Sequence, residues 1–388
     1  MRRAHPRTFR HRRVPTSLRI AAAVVVLGAG GGAAAAVALT GSGSRVGPGR
    51  AVLHLQEPGS LRLVGSVPAP GASGVASDTA VSLVFSRPVR LTSALPTIDP
   101  PVAGTWSRPT PTTLAFTASA PFLPLAAETI TVASGSTGLR GVAGSQLAVP
   151  ATVHFTVAAG STLRLQQLLA QLGYLPLSFT PSGPPPAAAG AAMAQDGTFA
   201  WRWPGLPDQL TSMWVPGDSG HMTEGAVMSF ERTSHLAVDG VASQQVWGAL
   251  LAASAAGAVD PSPYTYVLVS KSLPETLALY VDGNPQYQGI LVNTGVHGAD
   301  TPDGTYPVFE HVVASRMKGT NPDGTTYDDP NVPWASFFTG GDALHGFVRS
   351  TYGWPQSNGC VEMPIAVAQV LWPLTPVGTL VTVIGPSS

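Results

Sequence analysis

Cysteine is all but missing from this sequence: Cys360 is the only one in 388 residues. No internal disulfide can form, so stability must come from packing, and the one thiol is free. Lysine is nearly as scarce, with only Lys271 and Lys318. Charged residues make up 11% of the chain. Seven of the 21 basic ones (Arg2, Arg3, Arg7, Arg10, Arg12, Arg13, Arg19) precede residue 20, where no acid occurs. Beyond them 14 basic residues face 21 acidic ones, so the formal net charge of zero hides about seven negative charges on the remainder. A nucleic-acid partner is excluded on that balance, because neutralising phosphates takes a basic patch and none follows residue 20.

What the sequence has in quantity is glycine and proline, 43 and 37 residues, which favour short strands and turns over long helices. With 44% apolar residues the length accommodates two or three globular domains. The basic leader, 1–19, runs into Ile20 to Leu39, 20 uncharged residues rich in Ala, Val and Gly. As a helix this run is about 30 Å long, one bilayer core. Arginines before it and none within it predict an N-in, C-out anchor. A small-residue site at Ala36-Val37-Ala38 makes a cleaved export signal the alternative. The expected location is a single-pass protein of the cell membrane with the remainder outside the cytoplasm, and no cysteine follows the run to carry a lipid. A lone thiol in an oxidising compartment suggests use.

Residues 40–62, with Gly41-Ser42-Gly43-Ser44 and Pro48-Gly49, read as a flexible linker. From 63 to 158, runs such as Ala80-Val81-Ser82-Leu83-Val84-Phe85 and Val153-His154-Phe155-Thr156-Val157 alternate at roughly ten-residue spacing, the pattern of an antiparallel sandwich. His154 falls on a strand face and has no catalytic neighbours. Residues 162–254 change character. Leu165, Leu168, Leu169 and Leu172 form a helical stripe, and two further helical stretches, 223–233 and 243–253, follow an insertion over 176–222. The insertion carries Trp201, Trp203 and Trp214, which either stack on sugar rings or close a small core beneath a long loop. After Asp260-Pro261-Ser262-Pro263 the last domain, 264–385, alternates with period two around Asp282-Gly283, the pattern of a hairpin or meander. Glu310 to Pro333 is polar and turn-rich and reads as a long loop or lid.

A thiol attacks as thiolate, and an unperturbed pKa of about 8.5 leaves little of it at neutral pH, so a base must stand beside it. His345, at the end of the aromatic stretch Trp334 to Leu344, is the candidate. Gly359 would let backbone amides approach a reacting carbonyl oxygen. By themselves a histidine and a cysteine do not separate a catalytic pair from an inert buried thiol. His297 and His311 have no cysteine or acidic cluster at metal-ligand spacing, so neither a metal nor another cofactor is expected.

The local wording adds a resemblance. His345-Gly346 followed by Ser357-x-Gly359-Cys360-Val361, and preceded by Thr301-Pro302-x-Gly304 and Trp334-x-x-Phe337, closely resembles the L,D-transpeptidase (YkuD-type) catalytic domain. Val84-Phe85-Ser86-Arg87-Pro88-Val89 with Gly104-Thr105-Trp106 resembles bacterial Ig-like domains. The helical stretches with Val238-Asp239-Gly240-Val241 resemble a three-helix peptidoglycan-binding module, and the whole order resembles actinobacterial members. The implied fold is multidomain and mainly β: an Ig-like sandwich, the helical module, and a YkuD-type β-sandwich with a short helix.

The resemblance also implies a function: a cysteinyl acyl-enzyme formed from a tetrapeptide donor stem, release of D-alanine, and a 3→3 peptidoglycan crosslink. The partners implied are donor and acceptor stem peptides, the membrane, and carbapenems as acylating agents. Cys360 would be the nucleophile, His345 base and acid, and the Gly346 carbonyl would orient the ring. Ser357, Asn358 and Gly359 would shape the oxyanion turn, with amides of Asn358, Gly359 and Cys360 as donors. Tyr327, Trp334, Phe337, Tyr352 and Trp354 are the candidate substrate contacts. Asn358 and Glu362 depart from the common family wording, and Glu362 would repel an anionic substrate if it faced the cleft. Alternatives are an L,D-carboxypeptidase with water as acceptor, and a wall-binding structural protein with a retired site.

Overall fold

The computed structural model describes residues 59–184 and 191–385. The leader, the apolar segment 20–39 and most of the linker expected over 40–62 lie outside the described residues. Among the described residues no helix is long and apolar enough to cross a membrane.

The chain first builds two packed four-stranded sheets. One orders β1 (Leu63–Val67), β3 (Val81–Phe85), β6 (Thr113–Ala118) and β5 (Gly104–Thr110); the other orders β2 (Ala72–Val75), β8 (Ala151–Val157), β7 (Ala127–Val132) and β4 (Thr97–Asp99). Alternation does the work: Val81, Leu83 and Phe85 face the core of the sandwich with Val153, Phe155 and Val157. His154 points outward, its Nδ1 2.9 Å from Thr129 Oγ1 on the neighbouring strand.

The middle segment comprises α1 (Thr162–Gln171), β9 (Leu177–Pro181), β10 (Gly197–Trp201), α2 (Asp208–Thr211), α3 (His221–Thr233) and α4 (Gln244–Ala256). Ser161 and Ser243 cap α1 and α4, their hydroxyls accepting from Arg164 and Val246 N–H, an arrangement that contributes about 1 kcal/mol per cap. Within the insertion over 176–222, β9 and β10 pair as an antiparallel hairpin and α2 adds a short helix. Its tryptophans pack against the helical core, partly buried: Trp214 lies 5.0 Å from Phe199, and Trp203 stacks on Tyr264. Of the two readings open at those positions, core packing is the one seen.

The remaining residues form β11 (Thr265–Ser270), β12 (Thr276–Val281), β13 (Asn284–Leu291), β14 (Gly304–Pro307), β15 (Glu310–Thr320), β16 (Thr326–Thr339), β17 (Asp342–Gly346), β18 (Val361–Met363), α5 (Ile365–Leu371) and β19 (Leu380–Ile384). They make a five-stranded sheet, β13-β12-β11-β19-β14, and a four-stranded sheet, β15-β16-β17-β18. Val267, Leu279, Val292, Phe338, Leu344, Val361 and Val381 fill the space between them. Each such fully buried side chain contributes about 1.5–3 kcal/mol. The stretch expected to be a loop or lid over 310–333 is instead most of a long antiparallel hairpin, β15 against β16.

Helix α3 packs on β14 and β19, and its core is continuous with the last domain through Tyr266 and Leu380. Gly225 makes the close approach possible. A Cβ there would stand 2.7 Å from the Gly378 carbonyl and 2.9 Å from Leu380 Cδ2. Because the Gly378 backbone cannot swing away as a side chain would, Gly225→Val should destabilise the chain by about 1–3 kcal/mol. Urea unfolding followed by tryptophan fluorescence should show the lower midpoint; an unchanged midpoint would mean this seam carries no packing energy.

Candidate active site

Strand register assembles the site. Strands β17 and β18 run parallel, with Leu344 opposite Val361 and His345 opposite Glu362. Side chains alternate along a strand, so Leu344 and Val361 enter the core while His345 and Glu362 share the other face. Cys360, one residue before β18, falls on that face too. A cleft of about 580 Å³ opens there, lined by His345, Cys360, Tyr327, Phe337, Asn358 and Glu362 among others.

His345 is 2% exposed. Its Nδ1 lies 3.1 Å from the Gly346 carbonyl, so Nδ1 carries the proton and Nε2 is left as the basic nitrogen. Burial lowers the imidazole pKa, with the Gly346 bond and the Glu362 charge opposing it. The Cys360 thiol donates to the Gly341 carbonyl at 3.8 Å. Burial, reinforced by the Asp342 and Glu362 carboxylates and offset in part by the Ala343 amide, pushes this thiol up to about 12. Both changes favour the uncharged forms, so the resting pair is thiol and neutral imidazole, not thiolate and imidazolium.

The turn before the nucleophile is fixed internally. Ser357 Oγ donates to the Cys360 carbonyl at 2.6 Å and accepts from Gly359 N–H at 3.2 Å. The Gly359 amide is therefore already engaged, which removes it from the three oxyanion donors expected. Gly359 has φ 118, and a Cβ on it would run into the Asp342 carboxylate. The site thus requires glycine there on two counts.

Asn358 donates from Nδ2 to Asn321 Oδ1 at 2.6 Å, tying the nucleophile turn to the tip of the β15/β16 hairpin. Glu362 does line the cleft, but it is not a bare charge. Arg349 grips it through two bonds, Nε to Oε2 at 2.7 Å and a terminal nitrogen to Oε1 at 2.8 Å. The same guanidinium donates to the Gln356 carbonyl at 3.1 Å and lies 4.7 Å from the Phe347 ring centre. The expected repulsion of an anion is largely cancelled at its source.

Of the five expected substrate contacts, Tyr327 and Phe337 line the cleft and three residues do not. Trp334 packs inward, 5.5 Å from Trp372. Tyr352 is a brace: its hydroxyl accepts from Arg349 N–H and donates to the Phe347 carbonyl. Trp354 is 50% exposed, bonded to Thr351 Oγ1. Conversely, Met317, Asp329, Asp342 and Arg349 line the cleft without having been singled out from sequence. Burial lifts the Asp342 carboxyl to about 6. Tyr327, on the hairpin strand β16, lines the same cleft, and burial first, then the Cys360 charge, raises its phenol. No motif marks Arg349; its only sequence signal is a basic residue in a stretch of low charge.

The Arg349–Glu362 pair supplies a test. Glu362 keeps only 6% of its side chain exposed, and Arg349→Met would leave that carboxylate buried and unpartnered. The expected cost is about 3 kcal/mol, recovered largely in the double variant Arg349→Met, Glu362→Gln. Denaturant unfolding of the three proteins measures it, and a double variant as unstable as the single one would rule the pairing out as the cause.

Comparison with known proteins follows the same division of the chain. Residues 264–383 match the family described as L,D-transpeptidase catalytic domain, and residues 58–157 match the bacterial Ig-like domain. No curated protein matches the sequence. Among solved structures, the catalytic domain of the E. faecium L,D-transpeptidase is 26% identical, covering 32% of this chain and 100% of that one, with a TM-score of 0.29. An L,D-transpeptidase from Mycobacterium smegmatis is 13% identical, covering 84% and 99%, with a TM-score of 0.27. L,D-transpeptidase 3 from Mycobacterium tuberculosis, in complex with a faropenem-derived adduct, is 12% identical, covering 83% and 97%, with a TM-score of 0.27. The described cleft accordingly belongs to an enzyme module: the chain carries a bacterial Ig-like domain at 58–157 and an L,D-transpeptidase catalytic domain at 264–383.

Proposed function

We propose that the protein crosslinks peptidoglycan stem peptides through an acyl-enzyme on Cys360. The observation that carries this reading is the disposition of His345, whose Nδ1 is committed to the Gly346 carbonyl while His345 and Cys360 line one cleft. In the first half-reaction Nε2 takes the thiol proton as Sγ adds to the carbonyl of the third donor residue. The imidazolium then returns that proton to the leaving D-alanine amine, and a thioester remains. In the second half-reaction the side-chain amine of a third residue on another stem attacks the thioester. His345 takes its proton, the thiol is regenerated, and a 3→3 amide crosslink is released. With Gly359 N–H engaged by Ser357, the oxyanion falls to the amides of Asn358 and Cys360.

The uncharged resting pair fits this use. A thiol held protonated until a carbonyl is in place makes proton transfer and carbon–sulfur bond formation concurrent, as general-base catalysis requires. Glu362 is held in an ion pair with Arg349. A donor carboxylate entering that end meets a neutralised site. Anchoring by residues 20–39, an extracytoplasmic location and wall affinity of the helical module belong to the same proposal and rest on the sequence and its resemblances.

Incubating the full chain with a tetrapeptide stem should add the mass of the stem less one alanine to the lone cysteine, and Cys360→Ala should abolish both adduct and crosslink. An acceptor stem should convert the adduct to dimer; release of free tripeptide alone would identify water as the acceptor. The acylation rate should rise with pH through an inflection below about 6.5, where His345 loses its proton. It should then stay level past pH 8, because the thiol titrates only near 12. The sign follows from the lowered imidazole pKa: the basic form is already present at neutral pH. Asp342 titrates near 6, so Asp342→Asn must keep the inflection if it belongs to His345. A rate still climbing between pH 7 and 9 would contradict the assignment.

A further inference from the structure

Thr301 has no exposed surface and sits outside the cleft lining, yet its hydroxyl is placed on the nucleophile's own peptide bond. Thr301 Oγ1 donates to the Gly359 carbonyl at 2.6 Å and accepts from Gly295 N–H at 2.9 Å. Both of its hydrogen-bonding capacities are thereby oriented, since the single hydroxyl proton must go to the carbonyl if the lone pair receives the amide.

The surroundings give this hydroxyl little freedom. Lys271 Nζ donates to the Thr301 carbonyl at 2.9 Å and pairs with Asp303 at 2.7 Å. On the other side, the buried Glu275 carboxylate accepts from both N–H and hydroxyl of Thr294, each at 2.6 Å. The Thr294 carbonyl in turn accepts from Gln356 and Ser357 N–H, and Val296 N–H donates to the Ser357 carbonyl. The segment from Asn293 to Thr301 is therefore laced to the start of the nucleophile turn, and Thr301 holds its end.

A trans peptide points its carbonyl and its N–H in opposite directions. If the Gly359 carbonyl is drawn away toward Thr301, the N–H of the same unit, that of Cys360, is turned the other way, toward the face that Cys360 shares with His345. The left-handed φ of Gly359 is the local conformation that permits this orientation. We propose that Thr301 is the positioning residue of the oxyanion donor: its buried hydroxyl fixes the Gly359–Cys360 peptide so that the Cys360 amide is presented to the reacting carbonyl. This rests on the acyl-transfer reading above and adds a residue that touches no substrate.

The test separates acyl transfer from simple thiol reactivity. Intact-mass kinetics would follow two reactions of the full chain: acylation of Cys360 by a tetrapeptide donor, which develops an oxyanion, and alkylation by iodoacetamide, which displaces iodide at a saturated carbon and develops none. Thr301→Val keeps the shape and removes the hydroxyl. It should slow acylation by about 100-fold, the scale of a slightly misplaced catalytic group, while leaving the alkylation rate unchanged. Thr301→Ser, which keeps the hydroxyl, should restore acylation. Acylation of Thr301→Val at the wild-type rate overturns the proposal. So does a parallel fall in both reactions, which would make Thr301 a general support of the turn. If Thr301→Val does not fold, the series wild type, Thr301→Ser, Thr301→Ala carries the same test, with acylation falling along it and alkylation level. A wild-type protein that alkylates but is never acylated, by stem peptide or β-lactam, would instead sink the acyl-transfer reading itself.

Discussion

A one-residue slip of β18 against β17 would turn Cys360 toward the core and Val361 toward the cleft, because side chains alternate faces along a strand. The parallel register of these two short strands is thus the constraint on which the site depends. It is pinned from both faces. Below, Leu344, Val361 and Met363 are locked among Phe338, Leu371 and the strands of the larger sheet. Above, the Arg349–Glu362 pair and the Thr301 and Ser357 hydroxyls hold the chain just before and within β18. Three residues of strand would not hold a register alone; burial on one side and directed hydrogen bonds on the other make it determinate.

The electrostatics of the cleft favour restraint over latent reactivity. Burial of the thiol is the main cause, and the Asp342 and Glu362 carboxylates add to it, so a standing thiolate is disfavoured. For a protein read as acting in an oxidising compartment this has a physical advantage, since the thiolate is the species that oxidants attack. Reactivity is then conditional on a bound carbonyl and on His345, whose lowered pKa keeps its basic form available. Glu362, the acidic residue on β18 that would oppose an anionic substrate, is paired within the protein by Arg349, which no sequence motif called for.

The hairpin β15/β16 shows where sequence patterning loses its hold. Alternation reveals a strand only when one face is buried and apolar, and much of this hairpin is wet on both faces: Arg316 and Asp328 form an exposed pair, and Met317, Tyr327 and Asp329 line the cleft. Pro330 and Pro333 further argue against a strand; Pro330 sits where the pairing is irregular, between the partners of Ser315 and Met317, while Pro333 is in register opposite Ala314. The bond from Asn358 to Asn321 then gives meaning to a residue that had been visible only as a departure from family wording.

Local sequence pattern carries the sandwich strands, the three helices of the middle segment, the hairpin at Asp282-Gly283, and the identity of the lone thiol with its histidine and glycine neighbours. Each of these is local: a period of two or of 3.6, a turn dipeptide, or a short contiguous motif. Tertiary structure alone decided which aromatics face the cleft, why Trp334, Tyr352 and Trp354 do not, that Glu362 is neutralised, that Gly359 N–H is already used, and that Thr301 reaches the nucleophile's peptide. Those contacts join residues 13 positions apart in the case of Arg349 and Glu362, and 58 apart for Thr301 and Gly359. Nothing in a linear pattern specifies which distant polar groups will meet once burial leaves each of them in need of a partner.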